Sequence, residues 1–163
     1  MRKTLSLLSL FVFSFSIFQA CQNTPQETYE TEWLGDTKQE IISNIEEQFQ
    51  GFSNTMREVA YRYHELYWAG RDANWEYAEY QREHIEEAME QGFIRRPERE
   101  ASAQQFVSTA LPQMEEAIKS GNMEEFQENF TRFTASCNTC HAMEEVAFMT
   151  VKIPENRHTV IHF

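Results

Sequence analysis

The chain is 163 residues long, a length typical of one domain, and its 26 Asp and Glu against 14 Lys and Arg give a net charge of −12. A chain this acidic is repelled by nucleic acid, which excludes DNA and RNA as partners, and a protein that charge guides to it would be basic. Most of the acidity is typical of solvated helix surfaces.

The first 20 residues have the pattern of an export signal. Arg2 and Lys3 precede an uncharged run of Leu, Phe and Ser that is shorter than the roughly 20 residues a membrane-spanning helix needs. Ala20 stands directly before Cys21, and this junction resembles a bacterial lipoprotein box, in which the new N-terminal cysteine is acylated. The resemblance implies a lipid anchor on Cys21 in the periplasm, and Gln22 favours the outer membrane. The alternative is an ordinary secretory signal that leaves Cys21 as a free thiol.

Cleavage before Cys21 leaves a mature chain of 143 residues. Its net charge is −14, because the signal removes two of the 14 basic residues and none of the 26 acidic ones. Residues 21–36, "CQNTPQETYETEWLGD", lack a sustained period and contain turn formers, so we predict a lipidated tether there. Residues 37–163 are predicted to be one helical domain with a C-terminal tail.

The first predicted helix covers about Thr37–Ala69. Apolar residues recur along it at alternating intervals of four and three, at Ile45, Phe49, Phe52, Met56, Val59, Tyr63 and Leu66. This spacing is typical of a helix that keeps one apolar stripe against its neighbours. Gly51 lowers helix stability by about 1 kcal/mol relative to alanine, so we expect a kink or break there.

Three more helices follow, with Gly and Pro at their boundaries. They are predicted at about Trp75–Gln91, with Asn74 as N-cap and Gly92 beyond the end; at about Glu98–Lys119, restarting at Pro112 and closed by Gly121; and at about Met123–Glu145, after a capping box of Asn122 and Glu125. Four helices with short connections, and no run of alternating strand residues, predict an all-α, antiparallel four-helix bundle.

The stretch "SCNTCH", residues 136–141, lies on the apolar face of the last predicted helix. Cys-x-x-Cys-His is the spacing of covalent c-type haem attachment, in which two thiols add to the haem vinyl groups and the adjacent histidine coordinates iron. The sequence therefore predicts one haem c, bound through thioethers to Cys137 and Cys140, with His141 as the proximal iron ligand.

Other uses of this stretch are less favoured. A zinc site needs four ligands, but His64 and His84 stand alone and His158 and His162 lie in the tail. A redox dithiol is expected near a βαβ pattern, which the sequence does not show. A disulfide between residues three apart on a helix has poor geometry. Chance remains open, although export to the compartment where haem c is assembled favours haem.

A sixth iron ligand is expected from the first helix. Met56 is the candidate, because it lies on the apolar stripe between Phe52 and Val59. A thioether opposite a histidine raises the reduction potential and produces a six-coordinate electron carrier. Methionine on such a stripe is also a common core residue, so a vacant position open to small gases is the alternative. His64 falls off the stripe and is predicted to be a surface or capping residue.

A haem motif near the C-terminus, on the last of four helices, resembles the class II c-type cytochromes, namely cytochrome c′ and the low-spin cytochrome c-556 group. The resemblance rests on Cys137, Cys140 and His141, with Met56 where low-spin members carry their methionine. It implies a four-helix bundle with covalent haem on the C-terminal helix, and class II bundles often form homodimers. The chain departs from cytochrome c′ in its 22-residue extension beyond His141, so gas binding is not carried over.

Two stretches also resemble a group of small exported bacterial proteins with a C-terminal CxxCH. These are "MREVAYRYHELYWAGRDANWEYAEYQREHIEEAME" and "CNTCHAMEEVAFMTVKIPE". Taken together, the residues and the resemblances predict a periplasmic, lipid-anchored monohaem cytochrome c. It would carry single electrons between redox partner proteins and would not be an enzyme. Two alternatives stay open: a five-coordinate haem protein that binds or senses a small gas, and a haem-free structural lipoprotein.

Overall fold

The structure is a computed structural model that describes residues 33–158. The chain divides into two compact units, Met1–Glu47 and Gln48–Phe163, and each is described by itself. The predicted signal peptide, Cys21, most of the tether and residues 159–163 lie outside the described residues. Within residues 33–158 there are helices and no β-strand, so the predicted all-α class is confirmed.

The described residues form six α-helices: α1 (Lys38–Phe49), α2 (Phe52–Arg71), α3 (Trp75–Arg95), α4 (Glu100–Gln105), α5 (Leu111–Ser120) and α6 (Met123–Met143). A 3₁₀ turn, Pro97–Arg99, precedes α4, and a π-helical turn, Phe106–Ala110, joins α4 to α5. The region from α4 to α5 is therefore almost continuous.

Helix α1 begins at a capping box that our sequence analysis missed. Thr37 Oγ1 accepts a hydrogen bond from the Glu40 N–H at 3.2 Å, and the Glu40 carboxylate accepts one from the Thr37 N–H at 2.9 Å. The bond from the Thr37 backbone, followed by that from its hydroxyl, lowers the pKa of Glu40 because both stabilise the carboxylate.

The predicted first helix breaks at Gly51, as expected. Gln50 has a φ of 58°, in the left-handed region, and this turn ends α1. The prediction of one continuous apolar stripe is wrong for α1, because Ile45 is 39% exposed and Phe49 55%. The turn interrupts the helical period on which the stripe depends, and only the part within α2 is buried.

Helix α3 continues past the predicted end, and Gly92 lies inside it. A Cβ atom on Gly92 would stand 2.7 Å from Thr55 Oγ1 and 2.8 Å from the Phe52 ring. The glycine is therefore a point of close approach between α3 and α2 rather than a helix stop. Tertiary packing, which one sequence does not display, outweighs the usual role of glycine at helix ends.

The other predicted boundaries agree with the structure. The Asn74 side chain accepts a hydrogen bond from the Tyr77 N–H at 3.1 Å, which caps α3. Pro112 lies in the first turn of α5, and Gly121 ends that helix with a left-handed φ of 63°. Pro112 thus lies in a first turn as predicted, but the third helical region does not break before it, because the π turn continues the helix from α4 into α5.

The capping box predicted before α6 is half formed. Asn122 Oδ1 accepts hydrogen bonds from the Glu124 N–H at 2.9 Å and the Glu125 N–H at 3.3 Å. The Asn122 N–H donates to Ser120 Oγ instead of to the Glu125 carboxylate. Helix α6 ends two residues earlier than predicted, at Met143.

Three phenylalanines of α6 form the centre of the core in the second unit. Phe126, Phe130 and Phe133 are each no more than 1% exposed. Ring centroids lie 4.8 Å apart between Phe130 and Tyr63 of α2, and 4.9 Å apart between Phe133 and Phe106 of the π turn. Burial of each ring contributes roughly 1.5–3 kcal/mol, so this seam fixes α6 and the turns that follow it.

Candidate functional site

The last turns of α6 bring the three motif residues to one open hollow. Cys137, Cys140 and His141 share a face of the helix, as the spacing of three and four residues requires. The hollow is open to solvent and has a volume of about 130 Å³. Its other walls are mostly apolar and consist of Met56, Val59, Ala60 and Tyr63 from α2, Met89 from α3, Phe106 and Val151.

A second hollow of about 470 Å³, within the range of small-molecule sites, adjoins the first. Four residues line both spaces: Met56, Ala60, Cys140 and His141. Met56 on α2 and His141 on α6 therefore border the same space from two different helices. The structure brings the candidate sixth ligand to the motif, although the two lie 85 residues apart in the sequence.

The imidazole of His141 is oriented by one hydrogen bond. Its Nδ1 lies 2.6 Å from the backbone carbonyl oxygen of Met149. A carbonyl oxygen only accepts, so Nδ1 carries the proton, and the lone pair of the neutral ring is on Nε2. Metal-binding histidines commonly have this arrangement, in which a hydrogen bond from one ring nitrogen fixes the tautomer and leaves the other to the metal.

The two thiols of the motif are free and partly buried. Burial, with a smaller contribution from the neighbouring Cys140, raises the pKa of Cys137 to about 12. Reactive cysteines of redox dithiols have lowered pKa values, so Cys137 lacks the thiolate character that such chemistry requires. Cys140 Sγ lies 3.8 Å from Ser102 Oγ at the start of the α4 region.

Charged side chains line the rim of the second hollow. Glu144 receives a hydrogen bond from Ser102 and pairs with Arg99, which ties the end of α6 to the α4 region. Arg57 donates to the side chains of Gln50 and Asn54, both at 2.7 Å. Among residues 33–158 no carboxylate forms an ion pair with Arg57, so this cation is available to an acidic ligand group.

The segment after α6 folds back along α2, which the sequence analysis did not predict. Tyr63 Oη lies 3.2 Å from the Lys152 carbonyl oxygen, and His64 Nε2 lies 3.0 Å from the Asn156 carbonyl oxygen. Arg157 donates to the Asp72 carboxylate at 2.5 Å. His64 is thus a contact of the tail rather than a wall of either hollow.

Met89 is a second thioether that the sequence analysis overlooked. It lies on α3, is 3% exposed and lines the first hollow, but not the second. Its place four residues after buried Ile85 was a signal for the apolar face of α3. The π turn contributes Phe106 to the same wall, and such turns are frequent at functional sites.

In the part of the chain that the structure describes, no helix is long and apolar enough to cross a bilayer. The same residues contain no group of three or more His, Cys, Asp and Glu side chains placed to hold a metal ion. Comparison of the chain with protein-family models, with curated proteins and with solved structures returns no match.

Proposed function

We propose that the protein is a periplasmic, lipid-anchored monohaem c-type cytochrome that carries single electrons between redox partners. In this proposal α2, α3, the α4–α5 region and α6 form an antiparallel four-helix bundle, with covalent haem on α6. The observation that carries the proposal is the convergence of two free thiols, an Nδ1-protonated imidazole and a thioether on one apolar hollow.

The residues fit haem better than a bare metal ion. A porphyrin supplies four iron ligands, so a haem site needs only one or two from the protein, which agrees with the lack of a three-ligand cluster among residues 33–158. Cys137 and Cys140 would hold the macrocycle, Nε2 of His141 would bind the iron, and Met56 would be the sixth ligand. Arg57 at the rim would pair with a propionate.

The bound group would supply a one-electron Fe(III)/Fe(II) couple. The chain's own residues would do the remaining work: Val59, Tyr63 and Phe106 would limit the access of water to the iron, and a methionine thioether would raise the reduction potential. His141 would keep its proton on Nδ1 throughout. No residue of the hollow is required to act on a substrate, so the proposed role is electron carriage and not enzymatic catalysis.

The acidic surface and Cys21 complete the proposal. With a net charge of −14 after signal removal, the protein would meet basic redox partners at rates that fall as salt rises. Acylation of Cys21 would hold it at the membrane, with the outer membrane favoured by Gln22. A homodimer is compatible with the resemblance to class II bundles.

The test is expression with a c-type haem maturation system, followed by a haem stain on a denaturing gel. We expect stain in the wild type, its loss in a Cys137→Ala/Cys140→Ala variant, and its retention in the matched Cys21→Ser variant. No covalent haem in the wild type would refute the cytochrome proposal and leave a structural lipoprotein. Covalent haem with a high-spin spectrum that carbon monoxide shifts would indicate a gas-binding protein instead.

A further inference from the structure

We propose that Asn138, inside the Cys-x-x-Cys-His stretch, is a positioning residue that fixes the ring of His141 through the C-terminal segment. The inference rests on the proposed function in so far as His141 is an iron ligand. Its physical claim, however, concerns the tautomer and orientation of the imidazole, which the protein has with or without haem.

The carboxamide of Asn138 binds both backbone groups of one residue in the tail. Asn138 Oδ1 accepts from the Val151 N–H at 2.8 Å, and Asn138 Nδ2 donates to the Val151 carbonyl at 3.0 Å. Nδ2 also donates to the Thr134 carbonyl, one turn earlier on α6, at 3.1 Å. This pairing resembles two bonds of a β-ladder, and a shift of the tail by one residue would break both.

Val151 lies two residues after the carbonyl that orients His141. Only the backbone of Thr150 separates the two, and a short turn precedes Met149, in which the Met149 N–H donates to the Val146 carbonyl at 2.8 Å. The Val146 N–H in turn donates to the carbonyl of His141 at 2.8 Å. The path from Asn138 to the imidazole therefore runs through its two hydrogen bonds with Val151, the backbone from Val151 back to Met149, and the hydrogen bond that the Met149 carbonyl accepts from His141 Nδ1.

Side-chain burial does not hold the turn in place. Residues 147–150 are all exposed, and Phe148 and Met149 have exposed fractions of 81% and 51%. Val151, by contrast, is half-buried and lines the first hollow. The position of the Met149 carbonyl is thus set by hydrogen bonds on both sides of it: those of the Val146–Met149 turn before it, and those between Asn138 and Val151 after it.

This arrangement has a direct consequence for an iron ligand. An imidazole that donates from Nδ1 to a fixed carbonyl has one tautomer, one ring orientation and a more basic Nε2. Without the carbonyl, the neutral ring exchanges between its two tautomers. Asn138 acts on the site without touching the hollow.

The test compares Asn138→Ala with Asn129→Ala in the full mature chain without haem. Asn129 is a matched control, because its Nδ2 donates to the Glu125 carbonyl one turn earlier on the same helix at 2.9 Å and forms no hydrogen bond with the tail residues that the structure describes. In Asn138→Ala we expect amide exchange of Val151 to accelerate by about tenfold or more, as for the loss of two hydrogen bonds. The ¹⁵N shifts of His141 should change from one tautomer to a mixture.

Asn129→Ala should leave both signals unchanged. If Asn138→Ala also lowers the helix content, Asn138→Leu takes its place, since leucine is a better helix former of similar size and bonds neither backbone group of Val151. Unchanged exchange at Val151, or an unchanged His141 tautomer, in a folded Asn138 variant would overturn the inference.

A second readout uses the protein with covalent haem. Loss of the Nδ1 hydrogen bond makes the imidazole a weaker donor to Fe(III), so the reduction potential should shift to a more positive value in Asn138→Ala and not in Asn129→Ala. An equal potential in both variants would contradict the inference. A wild-type chain without haem would refute the proposed function, and the exchange and ¹⁵N measurements would still decide the role of Asn138.

Discussion

Replacement of Met56 by leucine would separate its packing from its thioether. Leucine has nearly the same volume, and such exchanges cost less than about 1.5 kcal/mol in folding free energy. The matched variant is Met89→Leu, which removes the other thioether of the first hollow. Because Met56 is half-buried and Met89 is 3% exposed, the exchange at Met89 should disturb folding at least as much.

The two variants should differ in spectrum rather than in stability. Met56→Leu should lower the reduction potential and convert a low-spin spectrum to one that carbon monoxide shifts, because the sixth iron position loses its ligand. Met89→Leu should leave both unchanged. Truncation to alanine should widen the difference in stability: it should lower the free energy of unfolding by about 2–5 kcal/mol for buried Met89, and by about half of that for Met56.

The assays are optical spectra with and without carbon monoxide, a redox titration and urea unfolding. If the low-spin spectrum survives in Met56→Leu and disappears in Met89→Leu, the ligand comes from α3 and the assignment of Met56 is wrong. If neither exchange changes a low-spin spectrum, no thioether of this hollow binds the iron.

Three further predictions concern folding. Gly70→Ala should lower the free energy of unfolding by about 1–3 kcal/mol, because a Cβ there would stand 2.0 Å from the Phe126 ring; an unchanged urea midpoint would contradict this. Tyr63→Phe should lower the free energy of unfolding by about 1 kcal/mol, because it removes the hydrogen bonds of the phenol with α6 and with the tail. Urea unfolding measures this loss as well. In the haem-free chain, burial in the folded state raises the pKa of Cys137 from 9.0 to about 12. Between these two pH values the unfolded chain has lost a proton that the folded chain keeps, so the free energy of unfolding falls as the pH rises. Cys137→Ser should flatten that slope, and an equal slope in both proteins would refute the cause.

The sequence predicts the helices well where local chemistry determines them. Asn74 and Gly121 act at helix ends as their side chains or backbone freedom suggest, and Pro112 marks a first turn. The errors occur where a contact with a residue far away in the sequence determines the local structure. Gly92 reads as a helix stop, but it lies inside α3 because α2 approaches at that point, and a single sequence does not reveal which helix packs there.

The residues of the candidate site also fall into those that the sequence predicts and those that it does not. Cys137, Cys140 and His141 lie on one turn of one helix, so their spacing alone predicts that they face the same space. Met56 could be predicted from the apolar stripe of the first helix. The position of Val151 could not be predicted, because the tail has no periodic pattern. Asn138 bonds the backbone N–H and carbonyl of Val151, and nearly every residue type offers these groups, so the sequence of the tail gives no sign of the contact.

The contacts of the tail also bear on the order in which parts of the structure form during folding. Its contacts with α2 join residues 89 to 92 positions apart, such as Tyr63 with Lys152 and His64 with Asn156. Contacts between residues so far apart in the sequence form more slowly than local ones, because the long loop between them has to close first. We therefore expect the contacts of the tail with α2 to form later in folding than the contact between Asn138 and Val151, which are only 13 residues apart.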